Sequence, residues 1–463
     1  MATREPPTPK LTETDDALNL LDDLVARARR GGADAADAIL ANGIAVSVTQ
    51  RMGKREKMER AEGNDLGLRV FVGKRQAIAS SSDWTSKSLD ELVERALAMA
   101  KSVPEDPYCG LAEENEVFLG PLIDPDICDD AEPSPAQLGT RAKQCEDAAR
   151  SVSGVTNSEG ADAGWSLSEV SLLASNGFAG SYTTSRHSIS AAVLAGEGEA
   201  MERDYDYSTS VYLRDLEEPE VIGISAGVRA TSRLGAKKVQ TAKVPIVYDP
   251  RVASSLLSHF ASAANGASVA RGTSFLKDRM GEQIFSDGVA IIDDPQRPRG
   301  LRSKPFDAEG MANPEMALVE EGRLRNWVLD LRSARQLGLK TNGRASRGTS
   351  SPPGPSVTNL YMRPGKVSAA DLIGDIVDGF YVIELIGMGV NMVTGDYSRG
   401  AAGFWIENGE VTYPVNEVTI AGNLKDIFMN MTPANDLEFR YGINAPTIRV
   451  EGLTIAGAAA TED

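Results

Sequence analysis

Two Asn-Gly pairs, Asn176-Gly177 and Asn408-Gly409, separate segments rich in alternating β-branched and polar residues. Ser166–Ala174 and Ser181–Leu194 flank the first pair, and Ala402–Ile406 and Val411–Val415 flank the second. Asn-Gly accepts the positive φ of a tight hairpin turn, and such a turn twists with the strands it joins. Antiparallel sheet is therefore expected in both halves of the chain. Helical patterns fall between groups of strands rather than in regular βαβ order, which predicts an α+β architecture throughout.

The 463 residues exceed what a single core sustains, and two domains are expected. A flexible leader over 1–14 precedes a helix over Asp15–Arg30, where Leu18, Leu21, Leu24 and Val25 recur at helical spacing. Ile44–Thr49 and Gly67–Val72 read as strands, and Gly73-Lys74 turns the chain into Gln76–Ser80. A second helix is expected from Ser88, with Glu91 completing a capping box. An acidic, Pro-containing loop over 105–135 leads to a third helix opening at Ser134-Pro135. The strands Ser166–Ala174, Ser181–Leu194 and Tyr205–Arg214 form a meander closed by a helix over Pro219–Leu234. This places an N-terminal α+β domain over 15–240 and a strand-rich C-terminal α+β domain over 241–463. In the latter, Lys243–Tyr248, Gly379–Ile386 and Thr447–Ile455 read as strands. Asn342–Pro355 (NGRASRGTSSPPGP) has almost no apolar content and reads as a mobile loop.

Charge and residue counts exclude several function classes. Against 48 bases stand 66 acids, a formal charge of −18, so phosphate backbones and anionic lipid are repelled. Neither nucleic acid nor membrane is an expected partner, and no apolar run is long enough to span a bilayer. Met1–Asp16 is polar and lacks the apolar core of a signal peptide, which points to the cytoplasm. Cys109, Cys128 and Cys145 form no C-x-x-C pair and read as reduced thiols. The two histidines, His187 and His259, share no metal-ligand spacing with the cysteines. There is no phosphate loop, and Gly387–Met392 only begins like a dinucleotide loop.

The most informative stretch is Val247-Tyr248-Asp249-Pro250 followed by VASSLLSHFASAANGASVARGTSFL, in which Val252, Leu256, Leu257, Phe260, Ala261 and Ala264 form a helical apolar stripe. With Phe71–Tyr108, Gly281–Gly310, Leu318–Ala345 and Gly389–Leu424 (GVNMVTGDYSRGAAGFWIENGEVTYPVNEVTIAGNL), it resembles the TldD/PmbA family of metallopeptidases, also described as modulators of DNA gyrase. Catalytic, TldD-like members of that family carry an H-E-x-x-x-H helix motif, and a cysteine near the C-terminus completes the zinc shell. Lining up Leu256-Leu257 with the residues before that motif puts Ser258 at the first histidine, His259 at the glutamate and Ala263 at the second histidine. No cysteine follows Cys145. On this basis the chain itself is expected to hold no metal and to have no catalytic residue of its own.

The pattern is similar to the PmbA branch, also called TldE. The resemblance implies a heterodimer with a TldD-like catalytic subunit that binds the zinc, or a homodimer when isolated, and peptides or readily unfolded proteins as substrates. Whether this chain is itself an enzyme stays open. Two alternatives remain beside the subunit reading: a peptidase active alone through an atypical site, and a non-proteolytic regulator that binds gyrase or another target. Asn391, Asp396 and Arg399, with Tyr397 and Ser398 between them, are candidates for lining a peptide chamber, and a turn held by Asp and Gly is the equal alternative. Asp307–Gly310 reads first as a structural loop. His259 otherwise reads as a half-buried helix histidine with a hydrogen bond.

Overall fold

The computed structural model describes residues 14–457. The leader over 1–14 falls outside them except for its last residue, where helix α1 (Thr14–Arg30) begins. Its buried face is Ala17, Leu21, Leu24, Val25 and Ala28, with Asp15 and Asp16 in the first turn and arginines in the last, charges that suit the two ends of the helix dipole. Helix α2 (Ser86–Ser102) starts earlier than its Ser-Glu pattern suggests, because Thr85 is the N-cap and accepts a hydrogen bond from Ser88 N. Helix α3 (Pro135–Ser151) opens with a capping box between Ser134 and Gln137, and α4 covers Pro219–Ser232.

These helices lie on one face of a six-stranded antiparallel sheet. Its strands are β1 (Ala35–Arg51), β2 (Lys54–Val72), β3 (Arg75–Ser81), β4 (Val155–Ala174), β5 (Ala179–Ala195) and β6 (Glu202–Ser210), in the order β3-β2-β1-β4-β5-β6. The length of β1 explains the arrangement. Ala36, Ala38 and Leu40 pack under α1 and α2, while Ile44, Val46 and Val48, farther along the same face, pack under α3 and α4. Side chains alternate across a strand, so Asp37 and Ile39 point the other way, and Ile39 packs with Phe178 of the β4–β5 turn and with Phe306 from the second half of the chain. The β1–β2 hairpin runs well beyond its expected length. Lys54–Asp65 is exposed throughout, so it lacks the apolar alternation that marks a half-buried strand. Beyond it β3 pairs only with Leu66–Val72, which leaves the outer edge of Lys54–Asp65 free among the described residues.

In the second half, β7 (Ala242–Tyr248) is central. It is followed by α5 (Pro250–Ala263), α6 (Gly266–Ala270), β8 (Ile291–Asp293), β9 (Met316–Glu320), β10 (Arg323–Leu324) and α7 (Leu331–Leu337). Next come β11 (Ala345–Ser346), β12 (Gly354–Pro355), β13 (Leu360–Met362), α8 (Ala369–Gly374), β14 (Asp378–Ile386), β15 (Asp396–Glu407) and β16 (Glu410–Asn423). The chain closes with α9 (Leu424–Met429), β17 (Met431–Pro433), β18 (Ile443–Asn444) and β19 (Ile448–Ala456). Strands pair in the order β16-β15-β14-β7-β19-β17, and β16 pairs again with β19, so five of them close into a barrel. Two pairings depart from the antiparallel expectation: β7 and β14 run parallel, and so do β13 and β18. The long excursion between β7 and β14 carries β8, β9, β10 and β13 of a second sheet, ordered β10-β9-β8-β13-β18, and β18 joins it from the end of the chain.

The Asn342–Pro355 segment is anchored rather than mobile. Its β11 and β12 pair with each other, and its two inner arginines, though charged, are buried. Arg344 is wholly buried against Asp293 and also donates to Pro314 O at 2.6 Å. Arg347 reaches into the first sheet and donates to Asp37 Oδ1 at 2.6 Å, while Arg69 Nε donates to Asp37 Oδ2 at 2.9 Å. A segment with almost no apolar residues is fixed here by paired charges, which periodicity cannot reveal.

Candidate functional site

Helix α5 carries Ser258, His259 and Ala263, the three positions expected above to fall at the family's metal motif. Asp249 caps it, accepting from Arg251 N at 2.9 Å and from the Tyr381 hydroxyl at 2.7 Å. Val252, Leu256, Leu257, Phe260 and Ala263 face the core, whereas Arg251, Ser254 and Ser258, at i, i+3 and i+7, line a cleft.

Ser258, His259 and Ala263 point to three different surroundings. The Ser258 hydroxyl donates to Ser254 O at 3.0 Å, while Ala263 is fully buried in the core. His259 turns its ring against the edge of Tyr397, with centroids 6.0 Å apart. Its expected hydrogen bond is not formed: Nε2 is buried and finds no partner among the described residues. Burial, aided by the Arg399 charge, pushes the His259 pKa down to about 4, so the ring is neutral at pH 7. The Tyr248 and Tyr397 hydroxyls are also buried without a well-formed hydrogen bond, and burial raises both pKa values. A hydroxyl committed to the backbone, a methyl group and one desolvated imidazole do not fit a zinc ion, which takes three or four strong N, S or O donors. Among the described residues no cluster of three or more His, Cys, Asp or Glu is arranged to hold a metal.

Of the other candidates, Asn391 lies in the turn between β14 and β15, and Asp396 and Arg399 lie on β15 itself. Asn391 Oδ1 accepts from Val393 N at 2.9 Å and Thr394 N at 3.3 Å, and Asp396 takes hydrogen bonds from Thr394 Oγ1 at 2.6 Å and Asn423 Nδ2 at 3.1 Å. Their polar groups thus serve the turn itself. Arg399 is different: Nε donates to Ile386 O at 3.3 Å, and its charge bears on His259. In the Asp307–Gly310 loop, Asp307 Oδ1 accepts from Glu309 N and Met311 N, and Oδ2 from Ala345 N. These bonds make a buried scaffold for the loop. Beside it, burial and the Asp307 charge hold the Glu309 carboxyl well above the usual carboxylate range.

The cleft beside α5 has a volume of about 340 Å³. Its opposite wall comes from β5 and β6 through Arg186, Tyr207 and Thr209, and its floor from Leu301, Arg302 and Tyr441-Gly442-Ile443. The Tyr207 and Tyr441 rings meet at 5.4 Å. Arg251 donates to Asp204 Oδ1 at 2.7 Å and lies over the Tyr205 ring, 3.9 Å from its centroid. Sequence reasoning missed Arg186, Tyr207, Arg302 and Tyr441. They come from well-separated segments, and no local spacing announces them.

Fold and cleft together define a class: a long antiparallel sheet, helix-backed on one face, joined through buried ion pairs to a closed barrel, with a cleft between them. Matches to known proteins name the family. Residues 36–100, 128–234 and 241–457 match the models of domain 1, the central domain and the C-terminal domain of the PmbA/TldA metallopeptidases. The metalloprotease PmbA of Escherichia coli O157:H7 is 36% identical over 429 residues, covering 92% of this chain and 93% of that one. The PmbA homolog of Haemophilus influenzae is 34% identical over 416 residues, covering 89% and 90%. A Bacteroides thetaiotaomicron crystal structure, named for modulation of DNA gyrase, superposes with a TM-score of 0.89 at 27% identity, covering 97% of this chain and all of that one. TldE from Thermococcus kodakarensis shares the fold, with a TM-score of 0.84 at 22% identity over 95% of this chain and 100% of its own. The chain belongs to the TldD/PmbA metallopeptidase family. Among its described residues no helix is long and apolar enough to cross a membrane.

Proposed function

We propose that this chain is the non-catalytic, PmbA/TldE-like subunit of a cytoplasmic peptidase complex, and that a TldD-like partner supplies the zinc and the general base. The observation that carries this reading is on α5, where the motif positions present a backbone-bonded hydroxyl, a neutral desolvated imidazole and a buried methyl group. The cleft beside the same helix face is an open channel wall suited to an extended peptide. Peptides or unfolded proteins are the substrates in this reading, and the isolated chain forms a homodimer at most.

The test is to purify the chain from its native cytoplasm, identify any companion by mass, and measure zinc and peptide cleavage with and without it. Zinc and cleavage are expected only in the presence of a TldD-like companion. Cleavage by the lone chain would refute the reading, as would capture of gyrase with no peptidase subunit. His259→Ala is expected to leave turnover of the assembled complex unchanged.

A further inference from the structure

Arg186 and Arg302 are neighbours across the cleft beside α5, and neither forms an ion pair with a carboxylate among the described residues. Both residues are exposed as a whole, although Arg302 is partly desolvated. Arg186 Nη2 donates to Leu301 O at 2.8 Å, which holds it at the cleft wall. Arg302 lies across Gly442, where a Cβ would come within 2.3 Å of its Nε and push the side chain aside. Burial and then the Arg186 charge push the Arg302 pKa down against the pull of Asp293, whose carboxylate is itself bound by Arg344. In a chain with 66 acids against 48 bases, carboxylates are the commoner charge, so a like-charged pair kept without one is a binding feature rather than a by-product of composition. Arg251, on the facing helix, is already neutralised by Asp204.

We propose that Arg186 and Arg302 bind the C-terminal carboxylate of an extended peptide lying in this cleft. The inference rests on the peptide-handling reading above and adds the end of the peptide that this subunit reads. A guanidinium fork matches a carboxylate with two parallel N–H···O bonds, and two forks can share one carboxylate. Tyr207, Tyr441, Leu301 and Ile443 supply flat and apolar walls for the last side chains. Ser254 and Ser258 donate to Arg251 O and Ser254 O, leaving lone pairs free to accept from peptide N–H groups. A volume near 340 Å³ sits at the small end of ligand sites, about 300–1,000 Å³, which suits the terminal residues of a chain and not a folded domain.

The experiment uses the full-length protein and a fluorescein-labelled, unstructured ten-residue peptide in three forms: free acid, C-terminal amide, and amide with an internal Glu. Anisotropy is expected to show the free acid binding roughly tenfold tighter than either amide. In Arg186→Gln/Arg302→Gln the free acid falls to the level of the amide, whose own affinity is unchanged. Gly442→Ala, which displaces Arg302 without removing a charge, is expected to reproduce part of that loss. Melting curves identical to wild type establish that each variant is folded. Equal binding of free acid and plain amide would overturn the proposal while leaving the peptide reading intact. An internal Glu that restores full affinity to the amide would overturn the C-terminal assignment. Failure of all three peptides to bind would sink both.

Discussion

The chain has two histidines, so the protonation of His259 can be read residue by residue. Its ring is partly buried, its Nε2 has no partner among the described residues, and Arg399 repels added positive charge. The native pKa near 4 lies below the ordinary 6.5, so the unfolded chain takes up the proton first. Stability therefore falls as pH drops from about 6.5 towards 4 and is unaffected by this ring above that window. At pH 5 the gap of about 1.5 units, at roughly 1.4 kcal/mol each, amounts to about 2 kcal/mol. Replacing His259 with Phe keeps an aromatic ring against Tyr397 and removes the titration. Histidine-ring NMR, assigned by comparison with the variant, is expected to show His259 unprotonated down to pH 5. Urea unfolding at pH 7 and pH 5 is expected to show wild type losing up to about 2 kcal/mol more than His259→Phe. A ring that titrates near 6.5, or the same acid sensitivity in both proteins, would refute the reasoning.

Other perturbations probe the buried charges and the junction between the two halves. Arg344→Met strips a wholly buried guanidinium from Asp293 and is expected to destabilise by about 3–5 kcal/mol, seen as a large drop in melting temperature. Glu309→Gln is expected to be tolerated at pH 6, because the native carboxyl already holds its proton. With its pKa raised on folding, wild type loses stability as pH climbs from the ordinary carboxylate range into the alkaline, and the variant is expected to lose less over the same melts. Gly67→Ala places a Cβ 2.1 Å from Thr349 O and is expected to cost about 1–3 kcal/mol. It should also expose the 342–355 segment to protease; an unchanged digestion pattern would contradict the anchoring described above.

Apolar periodicity made the helices legible, and α1, α3, α4 and α5 start and stop close to where capping residues and stripe ends place them. The hairpin at Asn408-Gly409 and the meander through β4, β5 and β6 follow from turn chemistry in the same way. What escaped was whatever depends on contacts distant in sequence. The outer half of β2 carries no periodic signal because neither of its faces is covered. Arg344 and Arg347 look like loop residues until Asp293 and Asp37 are brought to them. The candidate site was legible only in part: α5 was identified through its motif positions, but Arg186 and Arg302 lie more than a hundred residues apart and converge only through the fold. Asn391 and Asp396 were singled out by their place in and just before the family-like GDYSRG stretch, and their polar atoms hold the local backbone.

The free border of β2 has a consequence for solubility. An unsatisfied row of backbone groups a dozen residues long would recruit any stray strand, and proteins suppress such accretion by decorating the margin with charge. Lys54, Arg55, Glu56, Lys57, Glu59, Arg60, Glu62 and Asp65 do this here, with signs mixed so that the margin carries no net charge. Replacing a few of them with valine would leave every buried contact intact and turn the hairpin into a seed for fibrous aggregates.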